Sequence, residues 1–214
     1  MTPSDQPRLL KGAIVALDPA NPVASVVSFQ YNPEQLSRSL TPLDSAGGGA
    51  SVQRLAGPPS ETIALTVMLN TADQVLKAGF TPDQAGVYPQ ISALEMLLYP
   101  KTARVVRNVA KLALGVLEIV PPEAPLTLFI WGPARVVPVK LTSIEVLETM
   151  HDPNLTPVAA SVSLSMTVLT YQAFSPKQPG FSLYIINQMA REAMATRASA
   201  EAAAGVAGAI GTWF

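Results

Sequence analysis

His151 is the chain's single histidine, and Asp152 follows it directly. This is the one place where an imidazole could act as a general base with a carboxylate to orient it. Pro153 comes next, and a His-Asp-Pro run between two apolar stretches reads instead as a turn, where such polar residues are common. Metal binding needs several convergent ligands. With no cysteine and one histidine, only carboxylates remain, and Glu34, Asp83 and Asp152 sit in separate loops with no shared cage. Serines are numerous, but none lies in a Gly-x-Ser-x-Gly elbow. The triple glycine at 47–49 lacks a following Gly-Lys-Ser/Thr, so it is no phosphate loop. No catalytic residue, cofactor or metal site is expected. Arg104, Arg107 and Lys111 do share one face at helical spacing. Such a face can meet lipid headgroups, RNA or an acidic partner; plain solvation or an acidic neighbouring subunit is the favoured reading.

The elements that carry these residues are mostly strands. Residues 13–17 are apolar and close on Asp18-Pro19. Val27, Phe29 and Tyr31 alternate with polar residues until Asn32-Pro33, where proline has no amide hydrogen to continue a ladder. Residues 37–60 hold the triple glycine and Gly57-Pro58-Pro59, and read as a mobile loop. Ile63, Leu65, Val67 and Leu69 then alternate with period two. Ile91, Leu94, Leu97 and Leu98 fit one face of a helix that Pro100 ends, and Val105, Val109, Leu112 and Val116 predict a second helix over 102–118. Leu126, Leu128 and Ile130 form another strand, turning at Gly132-Pro133. Val137, Val139 and Leu141 alternate, then the phase slips to Ile144 and Val146, which calls for a bulge near 142–143. Pro138 in this run argues for an edge position or an irregular start. Val162, Leu164, Met166 and Val168 alternate with Ser161, Ser163, Ser165 and Thr167, giving one apolar face and one of short hydroxyls. An alanine-rich helix is expected over 182–204, frayed by Gly205, Gly208 and Gly211. The helices cluster rather than alternate with strands, so the class is α+β with an antiparallel β-rich body.

Of the 214 residues 49% are hydrophobic, enough for a sizeable core, and only 14% are charged against about 25% for an average soluble domain. So few charges leave a surface poorly protected against association, which suits one covered by partner subunits; a neutral Ser/Thr/Gln surface explains it equally well. A net charge of -1 gives no basic field for phosphate contacts, so no nucleic-acid partner is expected. The polar, proline-containing N-terminus is no secretory signal, no long apolar stretch suggests a membrane span, and the absence of cysteine fits a cytoplasmic product.

The order of elements resembles a known family. Phe29-Gln30-Tyr31-Asn32-Pro33-Glu34 resembles the Phe-x-Phe/Tyr-Asn-Pro signature near the start of the tube-like domain of contractile injection systems, the phage-tail-like particles of bacteria. Residues 58–69 resemble that family's loop leading into a long strand, 91–98 its short helix, and Phe129-Ile130-Trp131-Gly132 its Phe-x-Trp-Gly strand end. Residues 137–147 and 162–169 resemble its last two strands. The likeness covers residues 10–172. It departs from the family at the C-terminus, where many relatives carry a LysM-type module and this chain has an alanine- and glycine-rich tail. It also departs at 101–124, which is longer than the family connection.

The resemblance implies a non-enzymatic structural subunit, commonly in a ring of six, that joins the inner tube to the trimeric spike hub in the baseplate. Its implied fold is an antiparallel β-sandwich or barrel-like tube-protein fold with inserted helices and a C-terminal helical tail. The implied organisation is a tube-like domain over 1–175, with a helical insertion at 88–120, and a helical tail over 176–214. The implied partners are copies of itself, the inner tube protein, the spike hub protein and other baseplate subunits, inside a cytoplasmic phage-tail-like particle. Phe29, Tyr31, Asn32, Pro33, Phe129, Trp131 and Gly132 are its structural motif residues. Arg104, Arg107, Lys111, Trp213 and Phe214 are candidate partner contacts. The hydroxyl face of 161–167 either lines a neutral lumen or lies beneath another layer of the same subunit. The rival reading is a monomeric β-sandwich that binds a small ligand or lipid, which needs a deep apolar pocket with convergent polar groups.

Overall fold

Alternating strands with one apolar face must pair and bury that face together, and here they do so in one sheet. The computed structural model describes residues 11–18, 21–29, 33–43, 57–71, 85–115, 125–133 and 135–211. Seven strands are β1 (Ala13–Asp18), β2 (Asn21–Ser28), β3 (Leu36–Thr41), β4 (Ser60–Asn70), β5 (Leu126–Ile130), β6 (Val136–His151) and β7 (Pro157–Val168). They lie in the order β2-β1-β5-β6-β7-β4-β3, and every pairing is antiparallel. Among the described residues three α-helices follow the expected clustering: α1 (Tyr88–Glu95), α2 (Thr102–Ala113) and the long α3 (Pro179–Gly211), which continues through Gly205 and Gly208 to Gly211 rather than fraying there.

The sheet cannot be flat. Its two edges are β2 and β3, yet only residues 29–35 join them. Six strand spacings of about 4.8 Å would set the edges of a flat sheet about 29 Å apart. Eight Cα-to-Cα steps reach about 29 Å only when fully stretched. That limit is not approached, because Phe29 turns into the core and its N–H donates to the Gly12 carbonyl at 2.9 Å. The sheet therefore curls into an open barrel around one core. Ile14, Val27 and Phe29 of one flank belong to the same buried cluster as Ile63, Leu65, Val67 and Leu69 of the other. The expected barrel-like body thus takes the form of a single rolled sheet.

Helix α1 plugs the core. Val87, Ile91 and Leu94 are buried, and α1 touches both β2 and β6. The Val87 N–H donates to the Pro157 carbonyl at 3.0 Å, and Gly86, at φ +60, has Pro157 where a Cβ would stand. The helix starts earlier than the expected 91–98 because Pro89 suits a first turn, and it loosens after Glu95 into hydrogen-bonded turns before Pro100.

Two expectations need correction. The stretch 37–60 is not all loop: it contains β3, paired with β4 from Leu36↔Leu65 to Thr41↔Ser60. Ser37, Arg38, Ser39 and Thr41 show no apolar alternation because β3 is an exposed edge strand. Strand β6 is interior, between β5 and β7, so Pro138 does not mark an edge. It sits at the strand's start, where the β7 ladder has not begun; that ladder starts at Val139, and the Pro138 carbonyl accepts from Leu169 N–H. The expected bulge is present as a register shift between Leu141 and Ser143. The second helix ends at Ala113, short of the expected 118, because Gly115 takes φ +76, a conformation that closes a helix; residues 116–118 lie outside the described residues.

Gly12 is a point of close approach. A Cβ there would stand 2.7 Å from the Phe29 ring and 2.8 Å from that of Trp131. Rigid aromatic rings give way poorly, so Gly12→Ala is expected to cost about 1–3 kcal/mol. Urea unfolding followed by circular dichroism measures this; an unchanged midpoint would show that the rings are loosely held.

Candidate functional site

The two aromatic motifs meet. Phe29 and Phe129 are fully buried; the Trp131 ring lies 5.9 Å from Phe129, stacked at 17°, and 6.5 Å from Phe29, tilted at 52°. Both geometries are favourable for aromatic pairs. Trp131 N–H donates to the Arg135 carbonyl at 2.8 Å and closes the turn that holds Gly132 at φ +73, a value that favours glycine. Tyr31 and Asn32 lie outside the described residues.

Pro33, Glu34 and Gln35 form the lip of a groove of about 900 Å³ on the outside of the sheet. Its floor is the outward side of β3, β4, β7 and β6, with Ser37, Thr66, Ser143, Ser161, Ser163 and Ser165. Register explains this collection. Ser143↔Ser165↔Ala64↔Ser37 form one row across the four strands, and Glu145↔Ser163↔Thr66 form the next. The Thr66 and Ser163 hydroxyls bond across strands at 3.2 Å. No other layer made of the described residues covers this face. The next row, Leu147↔Ser161↔Met68, adds two exposed apolar side chains. The groove's charges are the carboxylates of Glu34 and Glu145.

A charged cluster closes the opposite, inner side of the sheet. Glu61 is only 3% exposed, and its carboxylate accepts from Arg38 Nη2 at 2.7 Å on β3 and from Arg191 Nη2 at 2.8 Å on α3. Arg135 stands near both cations; burial first, then their like charge, holds its guanidinium below the ordinary arginine range. The Tyr184 phenol is raised, mainly by burial, and its ring lies 6.0 Å from Tyr171. Glu61, Arg191, Tyr184 and Gln188 also line a smaller cavity of about 250 Å³. Sequence reading missed this latch. The signal was parity: Glu61 falls in phase with Ile63, Leu65, Val67 and Leu69, so a carboxylate on that phase must point inward and be paired.

His151 and Asp152 do not form a dyad. His151 Nε2 faces the Glu148 carboxylate at 3.0 Å, while Asp152 Oδ1 accepts the Asn154 and Thr156 N–H groups at 2.8 Å each. Those backbone bonds, the Thr156 one foremost, hold the Asp152 carboxyl below its usual range. The turn they build places Leu155 at φ 64 with its side chain exposed. Among the described residues no three His, Asp or Glu side chains gather as for a metal ion. Asp83 lies outside the described residues.

Helix α2 carries Arg104, Arg107 and Lys111, but its apolar side does not enter the core. Val105, Val106, Val109, Leu112 and Leu114 are all exposed, and α2 makes no extended contact with another described element. Helix α3 packs on β6 and on the 3-10 turn Tyr171–Ala173, and is latched through Arg191. Its described side chains beyond Arg191, over residues 192–202, are all exposed. That part is held by local pairs such as Arg197 Nε to Glu201 Oε1 at 3.0 Å. Trp213 and Phe214 lie outside the described residues. No described helix is long and apolar enough to cross a membrane.

No protein-family model matches the chain, and no curated protein matches it. Two solved structures share a partial likeness. One is the tail of an empty gene transfer agent particle with C6 symmetry, 15% identical over 73% of this chain and 90% of that one, with a TM-score of 0.32. The other is the virion of a native gene transfer agent particle, 12% identical over the same shares, with a TM-score of 0.29. Superpositions this loose carry no weight for the fold or role of this chain.

Two outcomes test the latch and the turn. Arg38→Met with Arg191→Met strands a buried carboxylate and is expected to cost about 3–5 kcal/mol, with each single change costing less than half as much; a double-mutant cycle in urea measures it, and additive small losses would count against it. Leu155→Gly relieves a left-handed leucine and is expected to stabilise the protein by about 0.5–1 kcal/mol in thermal unfolding.

Proposed function

We propose that this chain is a non-enzymatic, ring-forming structural subunit of a phage-tail-like contractile particle, joining the inner tube to the spike hub. The observation that carries the reading is the groove. The Pro33-Glu34 turn of the first family motif borders an uncovered, charge-poor, serine-lined face of about 900 Å³ on a subunit that also exposes the apolar side of α2. A face so large and neutral suits burial against another protein better than catalysis. Two unlike surfaces on one chain suit a heterologous contact, which closes into a ring when its rotation allows. The sheet edges at β2 and β3 supply further backbone groups for pairing with neighbours. The Phe29, Phe129 and Trp131 cluster supports the reading in a different way, since it gives the two motifs one shared packing role.

The rival, a monomeric binder of a small ligand or lipid, asks for a deep apolar pocket. The large groove opens along the sheet face and is floored by hydroxyls, and the smaller cavity contains an ion pair. Neither is the deep, enclosed apolar pocket that a small apolar ligand needs.

Cryo-electron microscopy of the particle from the producing cell is the test. Density for this chain is expected as a ring, six-fold in symmetry, around the axis between tube and spike. A particle with no density for it in tube or baseplate would overturn the proposal. A strict monomer in light scattering, together with stoichiometric retention of a small apolar ligand, would favour the rival.

A further inference from the structure

We infer that the serine-floored groove is the seat of helix α2 from a second copy of the chain. The inference starts from two unpartnered surfaces. Helix α2 turns Val105, Val109 and Leu112 to one side with Val106 beside them, all exposed. The groove carries exposed Met68 at one flank and Leu147 at the other, with the short side chains of Ser161, Ser163 and Ser165 between.

Dimensions agree. The floor runs from Ser161 to Ser165 along β7, about 14 Å, and crosses β3, β4, β7 and β6, also about 14 Å. A helix of twelve residues is about 18 Å long, close to the floor's diagonal of about 20 Å, so α2 matches it in length when lying slantwise. Serines let its backbone come close, as large side chains would not. The Ser163 hydroxyl keeps a partner beneath such a helix, since it bonds across strands to Thr66.

Charge points the same way. Residues 96–117 contain Lys101, Arg104, Arg107 and Lys111 and no acidic residue. Residues 141–176 contain Glu145, Glu148 and Asp152 and no lysine or arginine. Glu34 adds a carboxylate at the groove lip. Seating α2 brings these opposite fields within about one Debye length of each other, about 8 Å at physiological salt. The occupant is another copy because α2 makes no extended contact with β3, β4, β6 or β7 of its own chain, the strands that floor the groove.

The pairing is heterologous: helix to groove, never helix to helix. Only its closure into a ring rests on the function proposed above. The hydroxyl face then lines a subunit contact rather than a channel.

The cysteine-free chain makes the test direct. Full-length Val109→Cys and Met68→Cys variants are mixed under mild oxidation. A dimer joining the two variants is expected, with at least ten-fold less from either variant alone. The double variant is expected to give a ladder ending at one closed species in non-reducing electrophoresis. Adding Val105→Asp to the double variant, which folds because Val105 is exposed, is expected to abolish the ladder, and adding Glu145→Lys to weaken it at low salt. Four outcomes overturn the inference. They are cross-links equal in the single variants, an internal 68–109 disulfide in a monomer, α2 protected from thiol reagents in a monomer, and binding of anionic vesicles by α2 without self-association. Rings seen by microscopy without 68–109 cross-links would also overturn it while leaving the ring reading intact. Cross-linked open chains that never close would sustain the contact and count against the ring.

Discussion

Everything in this fold depends on the shortness of the link between β2 and β3. Those strands end up at opposite edges of a seven-stranded sheet, and residues 29–35 are all the chain that connects them. A link of that length forces the edges toward each other, and the sheet must roll. Rolling encloses the apolar face, so α1, a helix of eight residues, is enough to plug it. The same segment supplies Phe29 to the core at one end and the groove's lip at Pro33 and Glu34 at the other. One short stretch therefore sets the curvature, contributes to packing and shapes the outer surface.

Strands β4 and β7 turn this constraint into two separate environments. They pair over nine residues without a shift, so their alternations stay in phase. Ile63, Val67, Val162 and Met166 lose essentially all exposure on the inner side, whereas Thr66 and Ser163 remain outside. A shift of one residue would exchange the two faces outright. The inner face does carry one charge, Glu61, at the strand's first turn inward, and two arginines from different elements neutralise it. Hydrophobic burial holds the barrel's wall, and this ion cluster fixes where α3 leaves it.

The sequence made these features legible to different degrees, for physical reasons. Strong alternation at 63–69 and 162–168 announced β4 and β7, and the phase slip after Leu141 announced the bulge. Strand β3 was silent, because an edge strand with both sides near solvent has no need of apolar residues. The hydroxyl face was visible as a face. That Ser37, Glu34 and Pro33 join it depends on pairing between residues far apart in the chain, which periodicity cannot reveal. The spacing of Val105, Val109 and Leu112 foretold a helix but could not say whether its apolar side is covered within the chain. The Glu61 cluster was readable from strand parity alone, yet its partners Arg38 and Arg191 come from a silent strand and a distant helix.

Helix α3 behaves as a lever. From Arg191, which ties it to the barrel, it runs twenty residues to Gly211, an arm of about 30 Å. The arm is alanine-rich, and its described side chains, over 192–202, are exposed and include a local pair between Arg197 and Glu201. The Arg191 to Glu61 contact is then a fulcrum: a tilt of about 10° there swings the far end by about 5 Å. Small adjustments at a buried carboxylate are thereby magnified at a distance, on the part of the molecule that extends beyond its own fold.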